Sequence, residues 1–347
     1  MANVFPVPGS LYLYGPNKGA AIFFASTFLI CGLVHQWQMY HYKCFRLMVF
    51  FTFCCSIFVG GFVLRAYGAW HYDKIIPYMV CQILIYTPPP VFELANFHIL
   101  GRVLYYIPYL SPIHPGRVLT TFGLMCAAVE FLNALGVAYV AGRSVTMERV
   151  ALGERLLKAS LIVQVFVLGL FTILAVYFHR RCVKFGIRRG LTTLWTLYAS
   201  TTLIFTRTIY RMVEHFSFSL TDMGPGFNLN DLSPMLRYEW YFYVFEATIM
   251  LANVILWNAM HPRRFLPKSH RTYLAQDGVT ELDGPGWKDK RPFVMTLLDP
   301  FNVMDMLPQR NRPRPFWEVN GFADARPIIT RTVMPTVTPI VTPSETK

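Results

Sequence analysis

The sequence predicts an all-α integral membrane protein, a bundle of seven transmembrane helices, and three observations predict it. Of 347 residues, 54% are hydrophobic and only 15% charged, with a mean hydropathy of +0.37. Soluble domains carry about 25% charged residues and leave much of their surface in water. Seven apolar runs reach the roughly twenty residues that a bilayer crossing needs. Basic and aromatic residues collect at the ends of those runs, where the membrane interface favours them.

The runs lie near 19–40, 47–67, 75–100, 117–140, 157–178, 191–212 and 238–260. The first ends in His35, Gln36 and Trp37 with no small-residue cleavage site, so it reads as a membrane helix and not a signal peptide. The third holds Pro88, Pro89 and Pro90 in mid-span and must kink or break there. Groups freed at such a break have to be buried in protein or face a polar cavity. The other runs are uninterrupted. Trp37 with Tyr40, Trp70 with Tyr72, Tyr105, Tyr106 and Tyr109, and Tyr238 with Trp240 and Tyr241 read as interfacial belts.

Orientation follows from the short connections. One side collects Lys43, Arg46, Arg102, Arg117, the run from His179 to Arg189, Arg263, Arg264, Lys268 and Arg271. The other has Lys18, Arg65, Lys74, Arg143, Arg149, Arg155, Lys158 and Arg237. The denser side faces the cytosol by the positive-inside rule. Residues 1–18 are then a short extracellular N-terminus, 19–260 the bundle, and 261–347 a cytosolic tail. The tail is rich in Pro, charge and small polar residues and reads as largely disordered.

The net charge of +13 does not indicate nucleic acid. The basic residues form short clusters at helix ends, which suits anionic inner-leaflet lipids as partners. Seven cysteines give neither a disulfide framework nor metal spacing, so no metal is expected. Cys44 and Cys182, beside basic helix ends, are candidates for palmitoylation.

Polar side chains inside the spans are the most informative layer. A charge there costs at least ~2.5 kcal/mol on insertion scales and needs a partner or a wet cavity. In the sixth span Arg207, Arg211 and Glu214, spaced by four and three, share a face. In the seventh, Glu239, Tyr243, Glu246 and Asn253 make another stripe. Glu246 lies deeper than Glu239 and is expected to face the interior, either paired with Arg or protonated. These six from Arg207 to Glu246 are the candidate substrate-binding residues; a satisfied structural network is the competing reading. Supporting polar positions are His35, Arg65, Gln82, Glu93, Glu130, Asn133 and Gln164. Walker, nucleophile-elbow and zincin motifs are absent from the sequence, so neither ATP-driven pumping nor hydrolysis finds support, and no cofactor is expected.

Arg207-Thr-Ile-Tyr-Arg211-Met-Val-Glu214 and Glu239-Trp-Tyr-Phe-Tyr243-Val-Phe-Glu246, closed by His261-Pro262, resemble two motifs of the fungal RTA-like family, the lipid-translocating exporters. Weaker matches are Tyr14-Gly-Pro16 with His35, Gly61 to Arg65, Gln82 with Pro89, Gly101-Arg102, Gly136 and Gln164. The resemblance runs from about Tyr12 to Pro267. It implies seven spans, the plasma membrane, and export of sphingoid bases or toxic amphiphiles, with resistance as the outcome. This chain departs from the family pattern at five positions. Phe58 and Cys126 stand where the family has acids, Asn133 for Gln, Phe97 for Tyr and Glu246 for Asp. Glu93 and Glu130 lie near altered positions and are expected to compensate in part.

The expected function is therefore a translocator of lipids or amphiphilic small molecules, with carboxylates receiving an amine head group. The alternative is a seven-helix sensor of lipid asymmetry that signals through its loops and tail. An enzyme is the least supported reading.

Overall fold

The computed structural model describes residues 16–71, 74–141, 146–217, 234–284 and 286. The expectations for residues 1–15 and for the tail beyond 286 fall outside the described residues.

Helix α1 (Lys18–Tyr42) opens on Asn17, whose side chain accepts from the Ala20 amide at 3.1 Å. This satisfies one of the free amides of the first turn. Two residues separate α1 from α2 (Phe45–Gly68), so the pair packs antiparallel along its length. The third span breaks at its prolines into α3 (Ile75–Tyr86) and α4 (Pro88–Tyr106). Pro88 and Pro89 occupy the first turn of α4, where a missing amide costs little. The Pro88 carbonyl accepts from the Cys54 thiol at 3.6 Å. Helix α4 is buried on nearly all sides and touches α2, α5, α6 and α7.

Helix α5 (Pro115–Ala141) packs on α6 (Met147–Lys184) at glycines. A Cβ on Gly136 would lie 2.9 Å from the Gly153 carbonyl oxygen, and one on Gly153 2.8 Å from that of Gly136. Only glycine permits this backbone approach, the device that lets membrane helices pack closely. With 38 residues, α6 is about 57 Å long and overshoots the hydrocarbon core. The predicted run 157–178 is its middle.

Helix α7 (Leu191–Phe216) begins after Gly190, at φ 81°. Its buried face is mixed, with Thr193, Thr196, Ser200, Thr201, Arg207 and Thr208 among Leu194, Leu197, Ile204 and Tyr210. The short α8 (Pro234–Arg237) leads into the last span. That span comprises α9 (Glu239–Phe242), a π-helical segment Tyr243–Thr248 and α10 (Ile249–Ala259). Five described helices, α1, α2, α5, α6 and the last span, are long and apolar enough to cross a membrane. The third span is cut in two by proline. The sixth is diluted by its polar residues. The chain is a multi-pass membrane protein.

Aromatic rings fill the core between α1, α2 and α4. Phe58 is fully buried, 4.5 Å from Phe28 and 6.3 Å from Phe92 between ring centroids. Ring packing thus occupies position 58, where the resemblance implies an acid.

Three expectations differ from the structure of the described residues. The segment after 260 does not begin as disordered chain. Pro262–Arg264 forms a helical turn, and β1 (Thr272–Leu274) pairs antiparallel with β2 (Glu281–Asp283), Tyr273 opposite Leu282. Tyr105, Tyr106 and Tyr109 are not a lipid-facing belt. Their hydroxyls donate to the Arg271 carbonyl (3.1 Å), Glu281 Oε1 (2.9 Å) and the Ala275 carbonyl (2.9 Å), holding this hairpin against α4. Arg102 adds donations to the carbonyls of Pro267, Ser269 and His270. Cys44 and Cys182 are 8% and 0% exposed, so in this conformation neither thiol is open to acylation.

Candidate functional site

The polar stripes of the sixth and seventh spans meet inside the bundle. Arg207 donates from Nε to both oxygens of Glu246, at 2.8 and 3.0 Å, and its Nη2 lies 2.7 Å from Oε1. Glu246 is fully buried and Arg207 nearly so. Of the two states expected for Glu246, the paired one is formed. The π-helical segment carries Glu246. The extra residue in such a turn re-aims the side chains after it, and π-bulges recur at functional sites.

About 10 Å along the same span, at 1.5 Å per residue, Glu239 forms a second buried pair. Arg65 Nη2 donates to its Oε1 at 2.8 Å, and the Asn17 amide to its Oε2 at 2.7 Å. Arg65 also donates from Nε to the Tyr243 hydroxyl at 3.2 Å and lies 4.2 Å over the Phe242 ring. This cluster ties together the ends of α1, α2 and the last span. With a backbone amide and a guanidinium on one carboxylate, it is built as a staple.

Arg211 pairs with Glu214 one turn on, donates to the Tyr86 hydroxyl at 3.1 Å, and contacts His215 Nε2 at 3.0 Å. Its guanidinium sits 4.1 Å over the Tyr86 ring. Tyr86 is the last residue of α3, directly before the proline break.

Between α4, α5, α6 and α7 lies a cavity of about 40 Å³. Arg207, Arg211, Glu130, Asn133 and Gln164 line it, with His215, Ser160 and Pro90 of the break. Of the two environments open to the break, burial in protein or a polar cavity, Pro90 borders the second. Among the described residues Glu130 has no ion pair, in contrast to Glu246, Glu239 and Glu214. Among the described lining residues it is the one carboxylate.

Behind the cavity, Glu93 of α4 is 1% exposed. Gln164 donates to its Oε1 at 2.5 Å and the Cys126 thiol to its Oε2 at 3.4 Å. Glu93 thus brings a carboxylate against position 126, where the resemblance implies an acid.

Of the six candidate substrate-binding residues Arg207 and Arg211 line the cavity, while Glu214, Glu239, Tyr243 and Glu246 do not. His35 is buried against Phe51, with ring centroids 5.5 Å apart, and neither His35 nor Gln82 lines the cavity. Asn253 is buried and also outside the lining. Sequence reasoning missed His215, Ser160 and Tyr86. The first is four residues from Arg211 and the second four from Gln164, so helical spacing could have found both. It also missed Ser200, which bridges Asn96 (2.9 Å) and the Trp257 indole (3.0 Å).

Residues 51–269 match the family described as RTA1 like protein. The chain belongs to this RTA1-like family. It is 43% identical over 305 residues to a lipid-translocating exporter-like protein RTA1 of Leptosphaeria maculans, covering 84% of this chain and 58% of the relative. A protein of the same name from Ajellomyces capsulatus is 27% identical over 241 residues, 65% of this chain and 72% of that one. Protoporphyrin uptake protein 1 of Saccharomyces cerevisiae is 27% identical over 288 residues, 71% of this chain and 89% of that one. The chain thus spans just over half the length of the Leptosphaeria relative. No solved structure matches it significantly. The family match takes in every cavity-lining residue named above, and it extends into the described segment after 260.

Proposed function

We propose that this chain translocates lipids or lipid-like amphiphiles across the plasma membrane, and that the cleft between α4, α5, α6 and α7 is where the polar head group passes. The observation that carries the reading is the cavity itself. It is lined by helices of the bundle and offers two guanidiniums, two side-chain amides and the carboxylate of Glu130. An amine head group, as on a sphingoid base, pairs with Glu130, while Arg207 and Arg211 balance Glu246 and Glu214 or meet a phosphate. Names of relatives, lipid-translocating exporter-like among them, support the general activity. Resistance to toxic amphiphiles follows if such compounds are substrates.

At about 40 Å³ the cavity holds water but not a head group. Passage therefore requires the helices around the cavity to separate. The reading takes the end with Glu239 as extracellular and the basic end of α6 as cytosolic, with anionic inner-leaflet lipids attracted to it.

The test is reconstitution. Purified chain in liposomes should accelerate transbilayer movement of a fluorescent sphingoid base over protein-free vesicles, and Glu130→Gln should remove most of the gain. No acceleration by folded protein, with or without a proton gradient, would defeat the proposal.

A sensor of lipid asymmetry is the second reading, and one observation favours it. The hairpin after the last span is latched to α4, the helix that borders the cavity. Reconstitution separates the readings: a translocator moves lipid in liposomes with no other protein present, whereas a sensor does not.

A further inference from the structure

On the outer face of the bundle, the end of α6 and the start of α7 enclose an open groove of about 560 Å³. Its volume is within the roughly 300–1,000 Å³ of small-molecule sites. Val176 and Val183 of α6 and Trp195 of α7 form an apolar wall, all substantially exposed. Its floor is tied: His179 Nδ1 is 3.2 Å from the Tyr198 hydroxyl, and the His179 ring meets Trp195 edge-on at 5.4 Å. At one end stand Arg180 and Lys184, four residues apart and on one helical face. Both are exposed, and among the described residues neither has an ion pair. The two cations belong to the last turns of a helix that is longer than the hydrocarbon core is thick, and Val176 lies one turn before Arg180, toward the bilayer centre.

We infer that this groove is a binding site for an anionic phospholipid. An acyl chain lies along Val176, Val183 and Trp195, and the phosphate with its anionic head group lies between Arg180 and Lys184. Charge complementarity selects the occupant: an apolar trough ending in two unpaired cations fits a negatively charged lipid and disfavours a sphingoid amine. The site is distinct from the interior cavity and lines up with none of its residues. The proposed orientation enters only in naming the leaflet, the cytosolic one. Binding itself stands or falls independently of transport.

Native mass spectrometry of the purified chain in detergent tests it with two probes, phosphatidylserine and phosphatidylcholine. Phosphatidylserine adducts should appear at several-fold lower lipid concentration. The double substitution Arg180→Gln with Lys184→Gln should abolish that preference while the unfolding temperature stays unchanged. Trp195→Ala should weaken adducts of both lipids. Neutralising the equally exposed Lys43 and Arg46 should leave the preference intact. Equal binding of the two lipids by the unmodified chain, or a preference that survives Arg180→Gln with Lys184→Gln, overturns the inference. These results do not bear on flux through the cavity, which the liposome assay reads separately.

Discussion

The Cys126 thiol of α5 donates to Oε2 of Glu93 on α4 at 3.4 Å, while Gln164 of α6 holds the other carboxylate oxygen at 2.5 Å. Three helices meet on one buried acid. The resemblance implies an acid at position 126, and here the carboxyl of Glu93 reaches that position from the facing helix.

That contact predicts coupling between the two positions. Cys126→Asp alone puts a second carboxylate beside Glu93 and should destabilise the bundle by about 1–3 kcal/mol, the range for an uncompensated buried polar group. Adding Glu93→Gln should restore most of the loss. Thermal unfolding of both single variants and the double variant in detergent gives the interaction energy, and additive losses would contradict the account.

Glu246→Gln removes one half of the buried pair with Arg207 and leaves a guanidinium without its counter-ion. Breaking such a pair typically costs about 3–5 kcal/mol. The account predicts a large fall in unfolding temperature with this substitution. Replacing both partners by Met and Leu should recover stability but not transport, and comparing these two readouts separates a structural from a functional pair.

Gly136 and Gly153 set the α5–α6 spacing, with each Cβ site under 3 Å from the other's carbonyl. Gly136→Val must push the helices apart. The expected cost is about 1–3 kcal/mol, visible as a lower unfolding temperature, together with altered flux because both helices wall the cavity. Gly169, with open space around it, serves as the control and should tolerate Ala.

The hairpin turn gives a pH prediction outside the membrane. Asp277 Oδ1 accepts from the amides of Val279 and Thr280 at 3.0 and 2.9 Å, and its Oδ2 accepts from the Thr280 hydroxyl. These bonds hold its carboxyl below the usual range. A group whose folded pKa is lowered stabilises fully above its unfolded value of about 3.9, and that support is lost as pH falls through the folded value. Hydrogen exchange at Val279 and Thr280 should therefore be protected near neutrality and lose protection only below that range. Asp277→Ala should show the unprotected behaviour at every pH.

The spans, the break at Pro88–Pro90 and the two polar stripes were legible because helical period and proline chemistry are local properties of the chain. The pairing of Arg207 with Glu246 was half legible. Spacing gave each face, but which faces meet depends on the register between helices, which no single segment encodes. For the same reason Glu93 was noticed without its contacts to Cys126 and Gln164. The hairpin was missed because strands of three residues leave no period to read. Tyr105, Tyr106 and Tyr109 misled as an aromatic belt, since a tyrosine at a helix end has the same composition whether it meets lipid or a docked strand.

The most direct measurement is the rate at which a fluorescent sphingoid base crosses liposomes containing the unmodified chain or Glu130→Gln. The account predicts clear acceleration by the former. The variant should lose about tenfold, as expected for one ionic contact of about 1.4 kcal/mol, with its unfolding temperature preserved. Equal rates for the two proteins would contradict the claim that head groups pass through the cleft beside Glu130. A rate no faster than protein-free vesicles for folded, unmodified chain would contradict translocation itself.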